Sequence, residues 1–180
     1  HRHRRAVVDQ REIGLDTLSY AAALKNALRQ APDVIAIGEI RDRRTVRHAV
    51  ACAETGHLCL ATLHAGGAVQ ALERMVEAFP AAEQQALRRR LALVLVAVAS
   101  QRLLRGVEGK RRPAVEVLIN SPYVASSVEK GDTPRIHKAM RQGTQYGMRT
   151  FPQDLVALHA AGVISLKEAL AHADSRTDRK

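Results

Sequence analysis

At 180 residues the chain has the length of one substantial domain or one and a half small ones. Its 46% hydrophobic and 26% charged residues are those of an ordinary folded domain, which excludes intrinsic disorder and collagen-like structure. Lysine and arginine outnumber aspartate and glutamate 28 to 18, and the resulting charge of +10 calls for an anionic partner: nucleic acid, a phosphate-bearing ligand, anionic lipid or an acidic protein.

The longest purely apolar run, Leu91 to Ala99, is far shorter than the ~20 residues a membrane helix needs, so no transmembrane segment is expected. The aromatics Tyr20, Phe79, Tyr123, Tyr146 and Phe151 are scattered; the stacking platform of a single-strand binder is missing and no nucleic-acid partner is expected. Cys52 and Cys59 are spaced like neither a close metal pair nor a disulfide framework, and read as buried thiols in a reducing, intracellular compartment. No apolar leader is seen, and the start at His1 leads us to expect a piece of a longer protein.

Ala6 to Ile13 reads as a short strand or extended arm. Asp16 or Thr17 is expected to cap a helix reaching about Gln30, with Leu18, Ala21, Leu24 and Leu28 on one face and Pro32 as its stop. Val34 to Ile37 is apolar without alternation, as expected of a strand covered on both faces in a parallel sheet, and ends in Gly38-Glu39. Asp42 can cap a second helix with Val46, Ala49, Val50 and Ala53 as its buried stripe and Gly56 just past its end. Leu58 to Leu63 then forms another largely apolar run, followed by His64, Gly66-Gly67 and a helix to about Phe79. This is a βαβ unit, and its two strands should run parallel.

Ligands of open α/β sheets bind outside the carboxyl ends of the strands. Glu39 and His64 are therefore expected to face one crevice. Pro80 to Leu104 reads as a long helix with a basic patch at Arg88 to Arg90. A hairpin follows, with a basic turn from Gly106 to Arg112 and Val115 to Ile119 returning. Asn120-Ser121-Pro122 breaks the pattern and marks the expected domain boundary, giving domains 1–119 and 120–180. The second is helical: Gly162 ends one helix, Ser165-Leu166-Lys167-Glu168 has the form of a capping box for the last, and the tail after Ala173 is polar.

A carboxylate after an apolar strand can orient Mg²⁺-bound water or accept a proton during phosphoryl transfer, which is the role open to Glu39; an ordinary surface glutamate fits the pattern equally well. His64 can hydrogen-bond a phosphate oxygen beside helix-start N–H groups that favour anions, or serve only in structure. Arg41 opens a run with Arg43, Arg44 and Arg47 that reads as a solvated helix face, while its planar fork suits a phosphate or a neighbouring subunit's carboxylate. His57, at the entry to the second strand, belongs to the opposite end from His64. No G-x-x-x-x-G-K-[ST] loop occurs in the chain, so an ATPase reading needs that loop from elsewhere, and the isolated chain is expected to be inactive.

The segments VDQREIGLDT, ALRQAPDVIAIGEIRD, AETGHLCLATLHAGGAVQALERMVEAFP and GMRTFPQDL resemble the type IV pilus retraction ATPases, the PilT/PilU group of the secretion ATPases. IAIGEIRD resembles the family's Walker B segment and ETGHLCLATLH its His box; ALKNALRQAPDVIAIGEIR and GVISLKEALAHADS are closer to PilU. SPYVASSVEKGD, where PilT-like proteins carry an A-I-R-N-L-I-R-E signature, also favours PilU, and two widely spaced cysteines cannot build the four-cysteine zinc site common in the extension branch.

The resemblance implies an α/β fold: the distal part of a RecA-like P-loop NTPase core with parallel strands, then a small all-helical C-terminal domain. It implies ATP and Mg²⁺ as cofactors and a homo-hexamer that works cytoplasmically at the inner membrane. There it would act on the pilus platform protein, alone or alongside a paralogous retraction ATPase. Carried over by motif, Glu39 is the Walker B glutamate acting with Mg²⁺ through water, and His64 senses the γ-phosphate. His57 is the first His-box histidine, Arg41 falls in the Walker B segment, and Arg11 lies in the arm after the acidic Asp box. The alternatives are a related secretion or conjugation ATPase, or a non-catalytic basic module that docks on a partner ATPase or nucleic acid.

Overall fold

The computed structural model describes residues 5–173, and the polar tail after Ala173 lies outside them. The chain divides into two compact units, His1–Leu63 and His64–Lys180. The fold is mixed α/β, as expected.

In the first unit residues 7–12 form neither helix nor strand. Helix α1 (Tyr20–Leu28) begins later than Asp16 or Thr17, capped by Ser19, whose hydroxyl accepts from the Ala22 N–H at 3.2 Å. Asp16 is used otherwise: its carboxylate accepts from the Glu12 N–H at 2.8 Å, closing a tight turn in which Gly14 takes a φ of +94°. Leu18 consequently stays outside the helix and is 94% exposed.

Strand β1 (Val34–Ile37) and strand β2 (Leu58–Ala61) pair in parallel, with Val34 opposite Leu58 and Ile37 opposite Ala61. Helix α2 (Arg43–Glu54) is the crossover and buries Val46, Ala49 and Val50, three of the four stripe residues expected, together with Thr45 and Cys52. Gly56 follows its end with a φ of +88°. The expectation that both strand faces are covered is not met within this unit. Val34, Leu58 and Leu60 are exposed, because α2 is packed against β2 and no further described strand pairs with either β1 or β2.

The second unit opens with helix α3 (Ala68–Glu77), which buries Val69, Leu72 and Val76, and helix α4 (Ala81–Val94). The helix expected to reach Leu104 stops at Val94, and strand β3 (Ala97–Arg105) takes its place, antiparallel to β4 (Arg111–Ile119). Two interactions decide this. The Asn120 side-chain amide donates to the carbonyls of Ala92 and Leu95 at 3.0 and 2.8 Å, satisfying acceptors left open at the end of α4. From Ala97 onward burial alternates with period two, so pairing with β4 puts Val98, Ser100, Arg102 and Leu104 on the inward face.

Helices α5 (Pro122–Lys130), α6 (Thr133–Gln142), α7 (Phe151–Ala160) and α8 (Leu166–Ala173) complete the unit. Ser165 accepts from the Glu168 N–H at 3.2 Å as the capping box predicts, and Gly162 follows α7 with a φ of +70°. Leu104 and Ala114 of the hairpin meet Phe151, Leu155, Ile164 and Ala169 in a core that ties β3–β4 to α7 and α8.

Candidate active site

The first unit places Glu39 two residues beyond β1, at the carboxyl edge of the parallel pair. That edge is closed by cross-strand bonds: the Ile40 N–H donates to the Thr62 carbonyl at 2.8 Å, and the Thr62 hydroxyl donates to the Gly38 carbonyl. Glu39 is mostly covered, with 24% of its side chain exposed, and its Oε2 lies 2.5 Å from Nε of Arg41. Arg41, expected to serve a phosphate or a neighbouring subunit, is turned back on Glu39, and this hydrogen bond, with the carboxylate's charge, pushes the guanidinium further above its ordinary range.

The backbone beside the pair is fixed by Thr45. Its hydroxyl accepts from the N–H groups of Arg41 and Asp42, both at 3.1 Å, and donates to Asp42. Asp42 accepts from the Thr45 N–H at 2.8 Å, which completes the capping box of α2. The bond from the Thr45 backbone, followed by that of its hydroxyl, holds the Asp42 carboxyl below the usual carboxylate range.

His57 precedes β2 at the amino edge, as its position predicts, with its Nδ1 2.9 Å from the Thr55 hydroxyl. A four-residue strand separates it from the Glu39 edge, about 13 Å along the strand direction. Arg11 lies exposed in the segment before α1 that forms neither helix nor strand. Cys52 is buried and Cys59 half-buried, and both are free thiols. Burial first, then the neighbouring Cys59, pushes the Cys52 thiol up to about 11.

The second unit opens with His64, whose side chain is exposed and whose carbonyl accepts from Nη1 of Arg74. The turn from His64 to α3 differs from the expected anion cradle. The Gly66 N–H is taken by Gln70 Oε1 at 2.5 Å, and the Ala68 N–H, in the first turn of α3, by Glu116 Oε1 at 2.8 Å. A protein carboxylate thus occupies the helix start, at the first N–H of α3.

Sequence reasoning missed Glu116, Arg102 and Thr45. The signal for Glu116 was present as a single charge inside the apolar run Val115 to Ile119. Among the described residues no group of three or more His, Cys, Asp or Glu side chains could hold a metal ion. One carboxylate beside a strand end nevertheless suits Mg²⁺, which binds through one or two carboxylates together with substrate phosphates and water.

The family model described as type II/IV secretion system protein matches residues 8–161. The chain belongs to that family. It is 51% identical over 179 residues to the type IV pilus ATPase PilU of Pseudomonas aeruginosa, covering 99% of this chain and 47% of that protein. Against the type IV pilus retraction ATPase PilT of the same organism the identity is 38% over 169 residues, covering 94% and 49%. The crystal structure of the pilus retraction motor PilT with bound ADP superposes with a TM-score of 0.86 at 36% identity, covering 100% of this chain and 51% of that one. The chain thus spans about half the length of the relatives it matches.

Proposed function

We propose that this chain is part of a subunit of an ATP-hydrolysing motor that powers type IV pilus retraction and so twitching motility. The observation that carries the reading is the 51% identity to a pilus ATPase along almost the whole chain. The local geometry agrees with it. Glu39 stands at the carboxyl edge of a parallel strand pair, where α/β nucleotide sites lie, and its backbone surroundings are pinned by Thr62 and Thr45.

In this reading residues 1–119 are the distal part of the RecA-like core and residues 120–180 the helical C-terminal domain. ATP is the substrate. Glu39 orients the attacking water and reaches Mg²⁺ through water; the ion, when bound, neutralises charge on the phosphates. His64 senses the γ-phosphate, and His57, Arg41 and Arg11 serve nucleotide sensing or contacts between subunits. The assembly is a homo-hexamer, cytoplasmic and peripheral at the inner membrane, acting on the pilus platform protein alone or beside a paralogous retraction ATPase.

Glu39→Gln in the full-length protein tests this. Turnover should be lost while ATP binding is largely kept, since the glutamine is isosteric but accepts no proton; normal hydrolysis would remove Glu39 from the mechanism. The 180-residue chain alone, lacking a phosphate-binding loop, should bind ATP very weakly, and a micromolar affinity by calorimetry would contradict the reading.

A further inference from the structure

The backbone between His64 and the first turn of α3 is held by side chains at successive points. Arg74 donates to the His64 carbonyl, and Gln70 accepts from the Gly66 N–H. Arg102 Nη2 donates to the Gly66 carbonyl at 2.8 Å, and Glu116 accepts from the Ala68 N–H at 2.8 Å. The first two residues belong to α3 itself. The other two lie 36 and 48 positions further along the chain on β3 and β4, where Arg102 and Glu116 are diagonal neighbours on the inward face of the hairpin.

The same two hairpin residues also grip the start of α7. Glu116 presents its second oxygen to the Phe151 N–H at 3.4 Å, and the guanidinium of Arg102 sits over the Phe151 ring, 3.9 Å from its centroid. Arg102 further reaches the His172 carbonyl of α8 at 3.4 Å. Glu116 is only 9% exposed. A carboxylate so placed is costly unless its charge is met, and here the positive ends of α3 and α7 both meet it. A Cβ added at Gly67 would lie 2.8 Å from Glu116 Oε1, so the absence of a side chain there lets the carboxylate approach the turn this closely.

We infer that Glu116 and Arg102 are positioning residues for His64: they fix the turn that carries the imidazole and join it to α7 and α8, so that the helical end of the chain and the phosphate-sensing group move as one body. The inference rests on the reading of His64 as that sensor. Neither residue touches nucleotide in it. Both act by keeping one backbone turn in register with the reacting phosphate, and an error of about an ångström there is worth up to ~100-fold in rate.

The test is a double-mutant cycle on the full-length motor, using Glu116→Gln and His64→Ala with ATP turnover as the readout. Glutamine keeps one acceptor for Ala68 but loses the charge, so kcat should fall roughly 10- to 100-fold with KM for ATP changed less than about twofold. In the His64→Ala background the same substitution should cost nothing further. Hydrogen exchange at the Gly66 and Ala68 amides should quicken in Glu116→Gln while that of the β3–β4 hairpin stays unchanged, which separates repositioning from unfolding. Arg102→Lys, which keeps a donor for Gly66, should retain more kcat than Arg102→Met. Equal losses with and without the imidazole, or a loss confined to KM, would overturn the positioning role alone. His64→Ala turning over like the wild type would sink the sensor reading and this inference with it.

Discussion

Replacing Thr45 with valine removes one hydroxyl and changes almost nothing else in shape. That hydroxyl accepts from two backbone amides, Arg41 and Asp42, and donates to the Asp42 carbonyl at 2.8 Å; the residue is 3% exposed. At ~1 kcal/mol net for each hydrogen bond the loss is bounded near 3 kcal/mol. Arg41 and Asp42 are exposed, so water can take over part of their bonding, and the expected cost is about 2 kcal/mol. Thr45→Ser retains all three bonds and gives up one buried methyl, for about 1 kcal/mol. Native-state hydrogen exchange at the amides of α2 reads the difference locally, as a fall in the free energy of opening. A valine variant no more costly than the serine one would show that the hydroxyl does not hold the backbone beside Glu39, and that the helix cap rests on the Asp42 carboxylate alone.

The remaining expectations concern the core, the cap and the thiols. Leu104→Ala, at a fully buried position between β4 and α7, should cost roughly 2–5 kcal/mol in urea unfolding, whereas Leu103→Ala next to it, 51% exposed, should cost under ~1 kcal/mol. The Asp42 cap should lend its stability at all pH values above the ordinary carboxylate range and lose it as the pH falls through the lowered folded-state value; in an acid series the exchange protection of α2 should drop in the wild type and be flat in Asp42→Ala. At pH 8 iodoacetamide should label Cys52 in the folded chain about two orders of magnitude more slowly than in urea, because a thiol pushed up to about 11 holds little thiolate there. Fast labelling would mean that Cys52 is not buried as the structure has it.

What was legible in the sequence is what local rules decide. Asp42 and Gly56 bracket α2 by capping chemistry, and two apolar runs joined by a helix are expected to pair as parallel strands, so the position of Glu39 at a strand's carboxyl edge follows without tertiary information. The run from Leu91 to Ala99 is the opposite case. It is apolar throughout and carries no period, so nothing within it separates helix from strand; Asn120 and the pairing with β4 make that choice from ~20 or more residues away. The turn after His64 is a second such case. Its composition announces a helix start open to anions, and the carboxylate that fills the start lies 48 residues downstream. A local pattern can therefore point to a candidate residue on a turn, while the residues that decide how rigidly that turn is held come from whatever the fold packs against it. The effects of substituting such residues should accordingly depend on one another across the hairpin: Arg102 and Glu116 both hold the His64 turn and both engage Phe151, and variants of residues that share partners add least well.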